Sequence, residues 1–209
     1  MIHAYSAPTP NGHKLHIMHE ECGLDYELHR INFGDGDQFK PEFLKISPNN
    51  KIPAIVDEEE PTGAPVSVFE SGAILIYLAD KTGQFIPDAA ADPLGRLAVM
   101  EWLMWQMGGV GPMLGQNGKF RNFAPEKVSC GIKRYAEEMD RLYNVADRRL
   151  AETRYLAGDE YTIADIANYG WLRTHEFQGQ SLDGLVNVKR WLDEIRGRPA
   201  VQRGVAVFD

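Results

Sequence analysis

Asn49-Asn50-Lys51-Ile52-Pro53-Ala54-Ile55-Val56-Asp57, followed after a polar loop by Val66-Ser67-Val68-Phe69-Glu70-Ser71-Gly72-Ala73-Ile74-Leu75-Ile76-Tyr77, is the stretch whose reading decides the fold. Its first half reads as a short strand, Ala54 to Val56, entered through a proline. Its second half reads as a strand, Val66 to Phe69, that turns without pause into a helix. The loop between them, Glu58 to Pro65, carries two prolines and a glycine, which suits a hairpin connection. Pro53 has no N–H to give a central ladder, so it belongs at the start of its strand or in a tight turn. A cis Ile52–Pro53 bond suits that place, although cis is the minority state of such bonds.

The join at Glu70-Ser71 matters for chemistry. A helix begins with unsatisfied N–H groups and the positive end of its dipole, and so attracts a carboxylate. Ser71 adds a hydroxyl and Glu70 a negative charge. Together they suit a group that carries both a carboxylate and an ammonium, as an amino acid does. On local grounds, helix capping is the simpler account of the pair.

Toward the N-terminus, Ile2 to Ser6 reads as a strand, and Ala7-Pro8-Thr9-Pro10-Asn11-Gly12 as a turn crowded with helix breakers. His13 to Cys22 has a helical apolar face at Leu15, Met18 and Cys22, and Gly23 stops it. Tyr26 to Ile31 alternates as a second strand, Asn32 to Gln38 is a polar loop, and Pro41 opens a short helix to Ile46. The order strand, helix, strand, helix, strand, strand, helix predicts a small sheet with helices on both faces. Toward the C-terminus the periodicity becomes helical throughout. Pro93 opens one helix, Pro125 another that runs to about Glu152, and Val186 to Arg196 a later one. Thr162-Ile163-Ala164-Asp165 has capping-box spacing, with Tyr161 and Ile166 placed as a hydrophobic staple. The expected organisation is an α/β domain over 1–81, a linker over 82–92 and an all-α domain over 93–209.

The totals exclude several classes. The chain has 209 residues and a net charge of −8, so nucleic acid and anionic membrane surfaces are not expected partners. The apolar run Leu97 to Leu114 is broken by Glu101, Gln106, Gly108-Gly109 and Pro112, and reads as a buried helix rather than a membrane span. Cys22 and Cys130 form neither a CxxC nor a metal pattern. Two thiols make no secreted disulfide framework, and a cytoplasmic home is expected.

Four groups of residues could carry chemistry. Thr9 and Asn11 sit where the first strand hands over to the first helix, where polar groups and the dipole can stabilise a thiolate. Taken alone, turn shaping and capping explain them. No cysteine lies in this turn, so the thiol of a redox reaction would come from a bound molecule. His13, His16 and His19 share a helix face, but nothing completes a metal site there and a solvated face accounts for them; no metal is expected. Trp102, Trp105, Met113 and Phe120 lie on an aromatic and thioether-rich stretch that reads as core or as a pliable pocket wall. Lys133-Arg134 reads as a charged helix face.

The paired motifs Asn50-Lys51-Ile52-Pro53-Ala54-Ile55-Val56 and Phe69-Glu70-Ser71-Gly72-Ala73-Ile74-Leu75-Ile76-Tyr77-Leu78 resemble the glutathione-binding half of cytosolic glutathione transferases. The turn from Ala7 to Lys14, Ser47 to Pro53 and Gly111 to Gln116 are similar to the bacterial nu-class, whose members are glutathione-dependent disulfide-bond oxidoreductases. The resemblance covers nearly the whole chain. It implies a thioredoxin-like domain followed by an all-helical one, a homodimer, and glutathione as co-substrate, either as two thiols or as the disulfide. Glu70 and Ser71 would hold the γ-glutamyl end, the backbone of Ile52 before a cis Pro53 the cysteinyl part, and Gln38 the glycyl end. Thr9 and Asn11 would lie beside the sulfur, with Arg134 coming from the partner subunit. Trp102, Trp105, Met113 and Phe120 would line the cleft for a small disulfide or hydrophobic substrate. Better-known classes place a Tyr, Ser or Cys at the sulfur, whereas here Thr9 and Asn11 occupy the turn. That favours chemistry in which glutathione supplies every thiol. Conjugation or hydroperoxide reduction on hydrophobic substrates, or a non-catalytic glutathione-binding role, are the alternatives.

Overall fold

Four strands pair in the order β2-β1-β3-β4, with β1 at Ile2–Ser6, β2 at Tyr26–Arg30, β3 at Ala54–Asp57 and β4 at Val66–Phe69. The computed structural model describes residues 1–59 and 63–209. Strand β1 runs parallel to β2 and antiparallel to β3, and β3 is antiparallel to β4. The β3–β4 pairing agrees with the hairpin expected from Glu58 to Pro65, although residues 60–62 of that connection lie outside the described ones. Along β1 the burial alternates: Ile2, Ala4 and Ser6 are buried, while His3 and Tyr5 are only half-buried on the other face, as the two-residue period of a strand requires.

The chain divides into two compact units, Met1–Gln84 with Arg198–Asp209, and Phe85–Gly197. In the first unit helix α1 (Pro10–Cys22) begins earlier than the expected His13. Thr9 is its N-cap and Pro10 takes the first helical position, where a missing N–H costs nothing. Gly12 lies in the first turn because any Cβ there would stand 2.1 Å from the carbonyl oxygen of Ala7. Helix α2 spans Pro41–Ile46 and α3 spans Ser71–Thr82. Thr82 therefore closes a helix rather than opening a linker. Phe85, also expected in the linker, packs edge-on against Tyr161.

The second unit is helical. Helix α4 (Pro93–Trp105) and α5 (Gly111–Gly118) are joined by a π-helical segment, Gln106–Val110, and a second one follows at Lys119–Phe123. The first widening sits just before Pro112, whose ring and absent N–H disturb an α-helical ladder. Helix α6 spans Ser129–Glu152, starting later than Pro125, and is followed by α7 (Ile163–Leu172), α8 (His175–Gln178) and α9 (Val186–Arg196). The expected capping box is present at α7: Asp165 accepts from the Thr162 N–H at 3.0 Å, and Thr162 Oγ1 accepts from Ala164 N–H. Asp165 also accepts from Leu156 N–H and from the indole N–H of the fully buried Trp191.

Helix α10 (Pro199–Ala206) departs from the expectation of a helical domain running to 209, because it belongs to the first unit and packs on α1. A Cβ at Gly204 would come within 2.7 Å of the Ile17 backbone, so only glycine permits that approach. Burial also overturns the solvated face expected for His13, His16 and His19, although His13 is only half-buried. His16 and His19 are fully buried, with His16 edge-on to Phe208 and its Nε2 within 3.0 Å of Ser6 Oγ. Burial lowers the two imidazoles to pKa values of about 3 and about 4, so both are neutral.

Candidate functional site

The sheet register brings three chain crossings together. Tyr5 pairs with Ala54, and Ala54 pairs with Phe69. The segment leaving β1, the peptide entering β3 and the turn leaving β4 therefore lie side by side at one end of the sheet. These are Ala7–Asn11, Ile52–Pro53 and Glu70–Ser71. The Ile52–Pro53 bond is cis. Its turn is held by Ser47, whose hydroxyl donates to the Lys51 carbonyl at 2.7 Å.

Glu70 is the N-cap of α3, yet its side chain makes no capping bond. Its φ is +72°, a left-handed conformation that costs a residue with a Cβ on the order of 1–3 kcal/mol and persists where the surroundings demand it. The carboxylate is exposed, while Ser71 is buried. The start of α3 therefore offers backbone donors, a hydroxyl and an exposed carboxylate that makes no capping bond. These groups fit a ligand end that carries both an ammonium and a carboxylate.

Lys14, which the sequence reading did not single out, reaches this place. It lies on α1, is 1% exposed, and donates to Ser71 Oγ at 3.1 Å. Burial pushes its ammonium down to a pKa of about 7, against the opposing pull of Glu70. A signal was present in the sequence: Lys14 stands four residues before Met18, on the apolar side of the helix.

Thr9 does cap α1, accepting from Gly12 N–H at 3.1 Å. A hydroxyl that accepts in this way keeps its own O–H as a donor, so capping and thiolate stabilisation do not compete. Asn11 is half-buried in the first helical turn. Ser6 and Tyr5 are engaged elsewhere: Ser6 faces His16 in the core and Tyr5 stacks on His29 at 4.6 Å. Gln38 lies in a 3-10 turn, Asp37–Phe39, and its Oε1 is buried without a protein partner, which leaves an acceptor for a ligand N–H.

The remaining expected residues belong to the second unit. Trp102 and Trp105 touch edge to face at 5.1 Å, and Phe120 stacks on Tyr135 at 5.3 Å. Trp102, Trp105, Met113 and Phe120 are all half-buried. Arg134 is exposed on α6 and pairs with Glu138 at 3.8 Å. Cys22 and Cys130 are free thiols, and Cys22 is at the far end of α1 from Thr9.

The glutathione S-transferase N-terminal domain model matches residues 1–80, and the C-terminal domain model matches residues 126–199. The chain belongs to the glutathione S-transferase family. It is 50% identical over 201 residues to the disulfide-bond oxidoreductase YfcG of Escherichia coli (strain K12), covering 96% of this chain and 92% of that protein. A glutathione transferase family member from Pseudomonas fluorescens pf-5, solved with two glutathione bound, superposes with a TM-score of 0.91 at 48% identity, covering 98% of this chain and 92% of that one. A glutathione transferase from Pseudomonas putida, solved with one glutathione disulfide per subunit, gives a TM-score of 0.92 at 44% identity, covering 100% and 92%. Among the described residues, no helix is long and apolar enough to cross a membrane.

Proposed function

We propose that this chain is a glutathione-dependent disulfide-bond oxidoreductase that reduces small disulfides with the thiols of bound glutathione. It acts as a cytoplasmic homodimer. Glu70 and Ser71 hold the γ-glutamyl end, supported by Lys14. The Ile52 backbone before cis Pro53 pairs with the cysteinyl part as a strand does. Gln38 takes the glycyl end, and Arg134 reaches the ligand from the partner subunit. Trp102, Trp105, Met113 and Phe120 offer apolar surface to the second substrate.

Thr9 and Asn11 donate to one glutathione sulfur and, with the N-terminus of α1, favour its thiolate. That thiolate attacks one sulfur of the substrate disulfide, and the other sulfur leaves as a thiolate. A second glutathione thiolate attacks the glutathione sulfur of the mixed disulfide. Glutathione disulfide forms, and the second substrate thiol is released. The two departing sulfurs take up the two protons that the glutathione thiols gave up. The protein's own part is orientation and charge stabilisation.

The observation that carries this reading is the start of α1, which presents Thr9 as N-cap and Asn11 in the first turn and no cysteine. The test is steady-state reduction of 2-hydroxyethyl disulfide by glutathione, coupled to glutathione reductase. A rate well above the uncatalysed exchange is expected. No rate, in protein that binds glutathione, would leave conjugation, peroxide reduction or binding alone.

A further inference from the structure

The parallel pairing of β1 with β2 sets His3 opposite Glu27 and Tyr5 opposite His29. All four side chains project from the same face, since each pair is two residues from the next. His3 Nδ1 lies 3.0 Å from His29 Nε2. The Glu27 carboxylate closes the triangle, with one oxygen 3.4 Å from His3 Nδ1 and the other 3.6 Å from His29 Nε2. These ligand atoms all lie within 4.8 Å of one another.

Those spacings match a coordination polyhedron. Zinc–ligand bonds of about 2.0–2.1 Å in a tetrahedron place neighbouring ligand atoms about 3.3 Å apart. The orienting groups are present too. The other nitrogen of His3, Nε2, is 3.2 Å from Glu58 Oε1. A ligating imidazole commonly gives its second N–H to a carboxylate in this manner, which fixes the tautomer with Nδ1 free to bind. The His29 ring is held flat against Tyr5, with 15° between the planes. Both histidines are partly shielded, with side chains 22% and 33% exposed, whereas Glu27 is open at 59%. The cluster has an entry path.

We propose that His3, Glu27 and His29 form a binding site for a divalent transition-metal ion, with Zn2+ the best match, and that Glu58 orients His3. The ion clips the edge strand β2 to β1. This site is separate from the glutathione residues. His3 lies at the start of β1, while the proposed sulfur-binding turn follows the end of β1. Two imidazoles and one carboxylate leave a position for water or a further ligand.

The test uses the full chain without a histidine tag, stripped of metal by chelator and free of glutathione, whose thiol would compete. Equilibrium dialysis against Zn2+ measures stoichiometry, and thermal unfolding measures the clip. One saturable ion per chain and a metal-dependent rise in Tm are expected. Glu27→Gln and His29→Gln change partly exposed side chains. Both are expected to abolish the binding and the rise, while circular dichroism reports an intact fold. Glu58→Gln weakens binding by roughly 10–100-fold, as loss of an orienting carboxylate does. The Cys22→Ser, Cys130→Ser double variant binds as before. No saturable binding, or binding that survives in Glu27→Gln and His29→Gln, overturns the proposal.

Discussion

Helices α3 and α7 both begin with an acid and a hydroxyl, and they use them in opposite ways. At α7 the order is Thr162-x-x-Asp165, which lets the carboxylate fold back on the helix start. Asp165 is fully buried and accepts from Thr162 N–H, Leu156 N–H and Trp191 Nε1–H. At α3 the acid comes first, as Glu70-Ser71. Glutamate is not among the side chains favoured at an N-cap, and Glu70 makes no capping bond from a strained φ of +72°. One helix start is closed on itself and the other is left open at considerable conformational cost. Internal satisfaction marks Asp165 as structural, and its absence at Glu70 agrees with the ligand role proposed for that carboxylate.

The largest way to break this contrast is Asp165→Ala. It strands two backbone donors and an indole N–H in a buried place, at about 1–3 kcal/mol each when left unmet. A loss on the order of 3 kcal/mol or more is expected in urea unfolding, with glutathione affinity unchanged in the folded fraction. A loss below about 1 kcal/mol would make Asp165 no more structural than Glu70.

Lys14 gives the next effect, through pH. Its folded pKa of about 7 is below the ordinary 10.5. Between those values the unfolded chain binds more protons than the folded one, so stability rises with pH across that window. Below pH 7 both states carry the charge and its burial cost is fully present. Lys14→Met is expected to remove a slope on the order of 1 kcal/mol per pH unit between pH 7 and 10. His16 and His19, held neutral by burial, act on the acid side: stability falls as pH drops from 6.5 toward 4. Denaturant midpoints measured across pH separate the two windows.

Smaller still in energy, but sharper in meaning, is a pair of site variants. Glu70→Gln removes the proposed charged partner of the ligand ammonium, an interaction worth about 1.5–3 kcal/mol, and is expected to leave stability within about 0.5 kcal/mol. A rise of roughly 10–100-fold in the KM for glutathione is expected, with little change in kcat. Asn11→Ala is expected to do the reverse, lowering kcat for disulfide reduction more than it weakens glutathione binding. Equal kinetics in Asn11→Ala would remove Asn11 from the chemistry.

Much of this was legible in local pattern. The strands β1 and β2, the hairpin, the proline before β3 and the Thr162–Asp165 box are all read within a few residues. What escaped was set by contacts between distant segments. His16 looks solvated until the C-terminal segment, nearly two hundred residues later in the chain, covers it through Gly204 of α10 and Phe208 beyond it, and His19 until Tyr26 of β2 packs on it. Lys14 meets Ser71 only because α1 and α3 pack together. The histidines that share a helix face drew attention as a possible metal set, while His3 and His29 became neighbours only through a parallel register. Such a register cannot be read from either strand alone, because a one-residue slip sends every side chain to the other face.

The smallest expected effect tests the deepest consequence of an open helix start, that the protein lends donors and the ligand lends the sulfur. Cys22 sits in the last turn of α1, at the negative end of the dipole whose positive end serves Thr9. Burial raises its thiol pKa, with Glu21 adding to the rise and a bond to Thr82 opposing it. That is the reverse of what an attacking thiol needs. Cys130 is exposed near the start of α6, in the other unit. Replacing both with serine should leave kcat and KM for disulfide reduction unchanged, and stability within about 1 kcal/mol. A folded double variant that has lost activity would mean a protein thiol carries the exchange, and Thr9 and Asn11 would return to being nothing more than the cap and first turn of a helix.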